Sequence, residues 1–179
     1  MKKHIIKLDV SLTAEQYRSF LMFDTLQLKQ KWKKPAFGGV ALMVLGGVLL
    51  YATKLWAPTV ALTLLGLGLP SVAMLSFWKG LKDRCAAWGL GETAKPVYSV
   101  LFGDYSVSVQ AKNGEKEVEW DDIHAIYAID GDIYLYLDKN TAYLLPHASF
   151  DHVEFDLWKL LREEMDENKI FIQMPRKKA

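Results

Sequence analysis

The stretch "HASFDHVEFD" brings His147, Asp151, His152 and Glu154 close together in the chain, and imidazole beside carboxylate is the chemistry of metal ligation and proton transfer. The spacing weakens both readings. His147 and His152 are five apart across a loop-to-helix junction, which matches no standard zinc pattern. His147, Asp151 and His152 are therefore weak candidate metal ligands, and a polar helix start accounts for the cluster more simply. The neighbouring carboxylates Asp121 and Asp122 would point to opposite faces of a strand, so they converge poorly on one proton and suit a turn or strand opening better. His124 alternates with apolar neighbours and reads as a single satisfied or exposed histidine. "GLGETA" at Gly89 to Ala94 mimics a nucleotide-binding glycine pattern, but no strand precedes it and Pro96 stands two residues on, which leaves a linker. The chain has no Ser-His-Asp, P-loop or HExxH arrangement. The expectation is a non-enzymatic protein with no catalytic residue, cofactor or metal.

The elements around these residues explain more. From Pro35 to Thr53 and from Leu55 to Trp78 the sequence carries no charge, and about 20 helical residues cross about 30 Å of hydrocarbon. A soluble core helix would show a polar face sooner. Pro35 and Pro58 suit the first turns of two helices. The predicted hairpin occupies 35–80, with spans 35–53 and 57–78. Lysines 29, 31, 33 and 34 precede it and Lys79, Lys82 and Arg84 come after it, against Lys54 alone in the connection, so the positive-inside rule puts both ends in the cytoplasm. The expected interface anchors are Lys31, Trp32, Lys33, Lys34, Trp78 and Lys79 on that side, with Tyr51 and Trp56 on the far side. Lys54 marks the far turn, where its stem snorkels to water. Gly39 and Gly46 share a helix face seven residues apart, fit either for packing within the hairpin or for contact between subunits. Gly66, Gly68 and Pro70 would loosen or kink the second helix. Without an ionisable side chain at membrane depth, stand-alone transport is disfavoured.

Charge is unevenly placed. Residues 1–90 carry 12 Lys+Arg against 4 Asp+Glu, residues 91–168 carry 6 against 17, and the rest carry 4 against none, which is +8, −11 and +4. The acidic part would be repelled by anionic headgroups and by nucleic acid, so neither is an expected partner of that domain. Membrane lipid, a protein partner or a second copy of the chain remain. The basic collar "KQKWKK", or Arg176, Lys177 and Lys178 in the tail, could partly neutralise it. Cys85 is the only cysteine, so an intrachain disulfide is impossible and a reduced compartment fits. The start "MKKHIIKLDVSLT" is basic, but Asp9 and its short apolar stretch deny it a signal-peptide core.

Within 96–168 the period changes from helical to alternating. "VYSVLF", "YSVSVQ", "EKEVEW", "IHAIYAI", "DIYLYLD" and "TAYLLP" read as six strands joined at Gly103-Asp104, Asn113-Gly114, Asp130-Gly131 and Lys139-Asn140. "HIIKLDV" near the start adds a seventh. After Pro146 a helix is expected, with Ser149 as N-cap and Val153, Leu157, Trp158, Leu161 and Met165 as its apolar stripe. A curved antiparallel meander closed by a C-terminal helix is the outline of a pleckstrin-homology-like (PH-like) barrel. The remaining segments are 1–34, a strand and juxtamembrane helix, 81–95, a linker, and 169–179, a basic tail.

"WDDI" at Trp120 to Ile123, "DIYLYL" at Asp132 to Leu137 and "AYLLP" at Ala142 to Pro146, with Phe150 after it, resemble the C-terminal domain of YcxB-like bacterial membrane proteins. The layout before them, a strand, "TAEQYRSFLMF" and two apolar helices, is similar too. His147 departs from the pattern, standing where a basic residue is expected after the proline. The resemblance implies a PH-like cytoplasmic domain on a two-helix anchor, with Trp120, Ile123, Pro146, Phe150 and Trp158 as its core motif, and implies no activity. The resulting expectation is a multi-pass protein of the bacterial inner membrane with both termini cytoplasmic. Its acidic domain would scaffold, regulate or dock a protein; the alternative is a sensor of a small apolar ligand or lipid.

Overall fold

A computed structural model describes residues 5–54, 56–112 and 114–173. Asn113 of the expected Asn113-Gly114 turn, and Arg176, Lys177 and Lys178 of the tail, lie outside the described residues. Two compact units emerge: residues up to 17 together with those from 90 onward, and residues 18–89 between them.

The first unit begins with β1 (Ile6–Leu12), in which Leu8, Val10 and Leu12 are buried and Lys7 and Asp9 exposed, the alternation of a half-buried strand. Thr13 and Gln16 then form a reciprocal capping box. The Gln16 side-chain oxygen accepts from the Thr13 N–H at 3.0 Å and the Thr13 hydroxyl oxygen accepts from the Gln16 N–H at 3.2 Å, which starts α1 (Ala14–Met22).

Beyond the hairpin, β2 (Lys95–Phe102), β3 (Ser106–Ala111) and β4 (Gly114–Glu119) continue antiparallel from β1, giving the order β1-β2-β3-β4. A register shift at Val10/Ser11 lets Val97 and Val100, three apart, both reach the core. The second sheet holds β5 (Ala125–Ile129), β6 (Asp132–Tyr136) and β7 (Ala142–Leu145) as a meander, with β8 (Ile170–Gln173) parallel to β5, in the order β7-β6-β5-β8. Asp130 and Gly131 both have positive φ, 52° and 93°, as a tight type I′ hairpin turn requires.

The structure corrects several expectations. The strands do not close into a barrel: a short 3-10 turn at Trp120–Asp122 takes the chain out of the β3–β4 ladder before β5 begins, so two four-stranded sheets form. The last strand pairs parallel, so the second sheet is mixed, and residues 170–173, expected in a basic tail, are a strand. The helix after Pro146 also starts later than expected. Two 3-10 turns, His147–Ser149 and Asp151–Val153, precede α4 (Glu154–Glu164), and Ser149 supplies no cap. Leu157, Leu160, Leu161 and Met165 are the residues buried from this segment, while Val153 and Trp158 are only half-buried.

In the second unit a π-helical turn, Phe23–Leu28, leads to α2 (Lys33–Thr53) and α3 (Trp56–Ala87). Both helices are long and apolar enough to cross a membrane, and only 11% and 6% of their most apolar windows are buried. The core helix of a soluble protein would hide such residues. Pro35 and Pro58 stand in first turns, where no N–H is missed. Lys54 ends α2 in the left-handed conformation, φ 56°, with its N–H donated to the Leu50 carbonyl. The second helix runs unbroken through Pro70 and nine residues past Trp78. It stops before Gly89, whose φ of 63° suits a helix end.

Candidate functional site

The His147–Glu154 cluster sits where β7 turns towards α4. His147 is exposed, its Nε2 is 3.5 Å from Glu154 Oε2, and its ring meets Phe150 edge-on at 5.3 Å. Its backbone N–H donates to Asp132 Oδ1 at 2.9 Å. Burial pushes the Asp132 carboxyl above the ordinary carboxylate range, and that hydrogen bond partly opposes the rise. Asp151 and His152 are exposed in the next turn. Among the described residues no group of three His, Cys, Asp or Glu is placed to hold a metal ion. The carboxylates and the imidazole secure a turn, with His147 and Glu154 as a solvent-screened pair.

Of the five residues expected in the core motif, four are buried and Trp158 is half-buried. Trp120 is buried, donates its indole N–H to the Gly103 carbonyl at 3.0 Å and stacks on Phe102. Ile123 and Phe150 are fully buried and Pro146 is buried. Asp121 and Asp122 lie in the 3-10 turn, and His124 is exposed. Trp158 stays half-buried beside the exposed Phe155, above a shallow groove along α4 that Lys159 and Arg162 also line.

Two polar seams join the sheets, and neither has a signature in the sequence. The Tyr98 hydroxyl on β2 donates to the Leu144 carbonyl on β7, and burial drives its pKa far above the ordinary phenol value. The Lys116 ammonium on β4 donates to Asp138 Oδ2 at 2.6 Å, next to the β6–β7 turn. That bond, helped by the Asn140 N–H, holds the Asp138 carboxyl well below its ordinary range.

At the edge of the first sheet, β4 has β3 as its ladder partner, and Glu115, Glu117 and Glu119 are exposed on one face. Ser108 and Ser106 donate hydroxyl hydrogen bonds to Glu115 and Glu117, which orders these carboxylates.

In the hairpin, Gly39 and Gly46 are buried and face α3. A β-carbon on Gly39 would run into the Gly66 carbonyl oxygen, and one on Gly66 would come within 2.7 Å of the Gly39 carbonyl oxygen. Thr59 donates its hydroxyl to the Gly46 carbonyl at 3.1 Å. This face packs against α3 within the hairpin. Around Gly38 and Gly47 a β-carbon would meet open space. Lys33, Lys34, Trp56, Trp78 and Lys79 are exposed, as are Lys31 and Trp32, and the Trp32 indole donates to the Leu26 carbonyl at 3.1 Å.

Residues 102–161 match the YcxB-like protein family, a stretch that includes the core motif and lies wholly beyond the two apolar helices. A comparison with curated proteins and one with solved structures found no match.

Proposed function

From the match of residues 102–161 to the YcxB-like family, we propose that the chain is a membrane-anchored, non-enzymatic interaction protein, acting as a scaffold or regulator through an acidic, PH-like module. The observation that carries this reading is the outward surface of the hairpin. Phe37, Val44, Tyr51, Leu64 and Leu75 are each more than half exposed, and so much clustered apolar surface is stable in hydrocarbon and costly in water. The strand order of two meanders with a helix after them supports the PH-like relation without barrel closure. The lysines at one end of the hairpin, against Lys54 at the other, support a bacterial inner-membrane setting with both termini cytoplasmic.

The β4 edge supports docking of a protein partner. Its unpaired ladder groups suit strand addition, and its three glutamates favour a partner segment carrying Lys or Arg. In-cell crosslinking of the full chain, with and without the triple substitution of Glu115, Glu117 and Glu119 to Lys, tests it. Loss of a protein adduct in the variant is expected, and identical adducts would defeat the docking reading. A second reading, a membrane sensor of a small apolar ligand or lipid, is favoured by a slot at the basic end of the hairpin.

A further inference from the structure

Between the π-helical turn, the start of α2 and the middle of α3 lies an apolar slot of about 240 Å³. A dry apolar cavity of about 150 Å³ already accepts a benzene-sized molecule. Its walls are Leu26, Pro35, Ala36, Ala73, Met74 and Phe77, and the space is there because two alanines stand where larger side chains would fill it. Lys31 and Trp32 also line it. The Trp32 ring is held by its bond to the Leu26 carbonyl, so it serves as a wall and has no free donor.

Charge singles out the occupant. Lys29 is paired with Asp24 at 2.9 Å and is taken. Among the described residues Lys31 has no ion-pair partner, and Lys33 and Lys34 come next, exposed. An apolar slot with an uncompensated ammonium at its lining, on helices suited to hydrocarbon, has the two chemistries of a phospholipid. We propose that the slot holds one acyl chain of an anionic phospholipid whose phosphate is paired by Lys31. This rests on the reading of the hairpin as a membrane anchor.

The test uses the full chain extracted from vesicles of equal phosphatidylglycerol and phosphatidylcholine, with retained lipid read by native mass spectrometry. The wild type should keep one phosphatidylglycerol in about fivefold preference, the scale of one basic group at a membrane surface. Lys31→Gln should lose the preference, Lys31→Arg should keep it, and Ala73→Trp should lose the adduct. Lys82→Gln, outside the slot, should behave as wild type. Equal retention of both lipids, or an unchanged adduct in Lys31→Gln and Ala73→Trp, would overturn the proposal. So would a dimer that Ala73→Trp abolishes, which would make a second copy the occupant. Sedimentation with membranes after an alkaline wash separates the premises: a released chain ends the anchor reading and the slot with it, whereas a retained chain without lipid preference ends the slot alone.

Discussion

The Tyr98 hydroxyl on β2 and the Leu144 carbonyl oxygen on β7 are 2.5 Å apart, and this one hydrogen bond crosses from the first sheet to the second. Tyr143 packs edge-on against the Tyr98 ring at 5.2 Å. Tyr98→Phe removes the donor and strands a carbonyl in a dry place, which costs about 1–3 kcal/mol. Because burial raises the Tyr98 pKa, the folded state keeps this proton longer than the unfolded chain does. Its contribution is therefore complete below about pH 10 and falls as the pH rises further. Urea denaturation of the full chain in detergent between pH 8 and 11 should show a steeper alkaline loss for wild type than for Tyr98→Phe. Parallel curves would contradict the seam.

The second seam has the opposite sign. Lys116 holds the Asp138 carboxyl below its ordinary 3.8, so the stabilisation is present above about pH 4 and is lost as the pH falls below it. Asp132, raised by burial, works against that slope. The prediction is that Asp138→Asn lowers stability at pH 7 and flattens the acid limb, measured by the same denaturation at pH 2 to 7. Both ends of the pair are well exposed, so the effect should shrink in high salt. An acid limb unchanged by the substitution would show that the ion pair has no linkage to folding.

Substitutions in the hairpin separate a glycine that is needed from one that is not. Gly39→Ala pushes a methyl group into the Gly66 carbonyl, and overpacking of this kind costs about 1–3 kcal/mol. Gly38→Ala meets open space and should be neutral or better, since Ala is the stronger helix former. Thermal inactivation of the hairpin fold in detergent, monitored by helix circular dichroism, should rank Gly39→Ala below wild type and Gly38→Ala level with it. An equal effect of both would mean that the helices do not meet at Gly39 and Gly66.

Phe150 and Trp158 share the core motif but differ in burial. Phe150 is fully buried, so Phe150→Ala should cost about 3–5 kcal/mol. Trp158 is half-buried, and Trp158→Ala should cost clearly less. Denaturation midpoints in reversed order would show that α4 packs on the sheets through Trp158.

The hairpin and seven of the strands are legible in the sequence because each signal is local. Absence of charge accumulates over about 20 residues, and alternation needs only about five or six. The barrel is not legible, because closure depends on the backbone after Glu119, and the extended pattern of "EVEW" continues into Trp120 without announcing the 3-10 turn. The capping box is written in the sequence as Thr13-Ala-Glu-Gln16, yet a reading for strands and spans passes over it. Residue type favours Ser149 as a cap, but the chain spends two 3-10 turns before α4 begins. The slot has no local signature, since its lining is drawn from residues as far apart in the chain as Ala36 and Ala73.

The strand least visible in the sequence gives the last prediction. Only Ile170, Phe171 and Ile172 carry β8, and its partner β5 lies more than forty residues earlier. Phe171 stacks on Tyr127 with ring centroids 4.9 Å apart, and the Lys169 ammonium donates to the Asp121 carbonyl at 2.6 Å. Burial raises the Tyr127 phenol above its ordinary value. Phe171→Ala uncovers that ring, so the Tyr127 pKa should move down towards about 10 while the fold persists, read as a shift in the ultraviolet titration of the full chain against wild type. The substitution should also speed hydrogen exchange across β5, whose outer ladder β8 completes. Exchange in β5 as slow as in wild type, with an unshifted tyrosine titration, would mean that residues 170–173 are a loose tail after all.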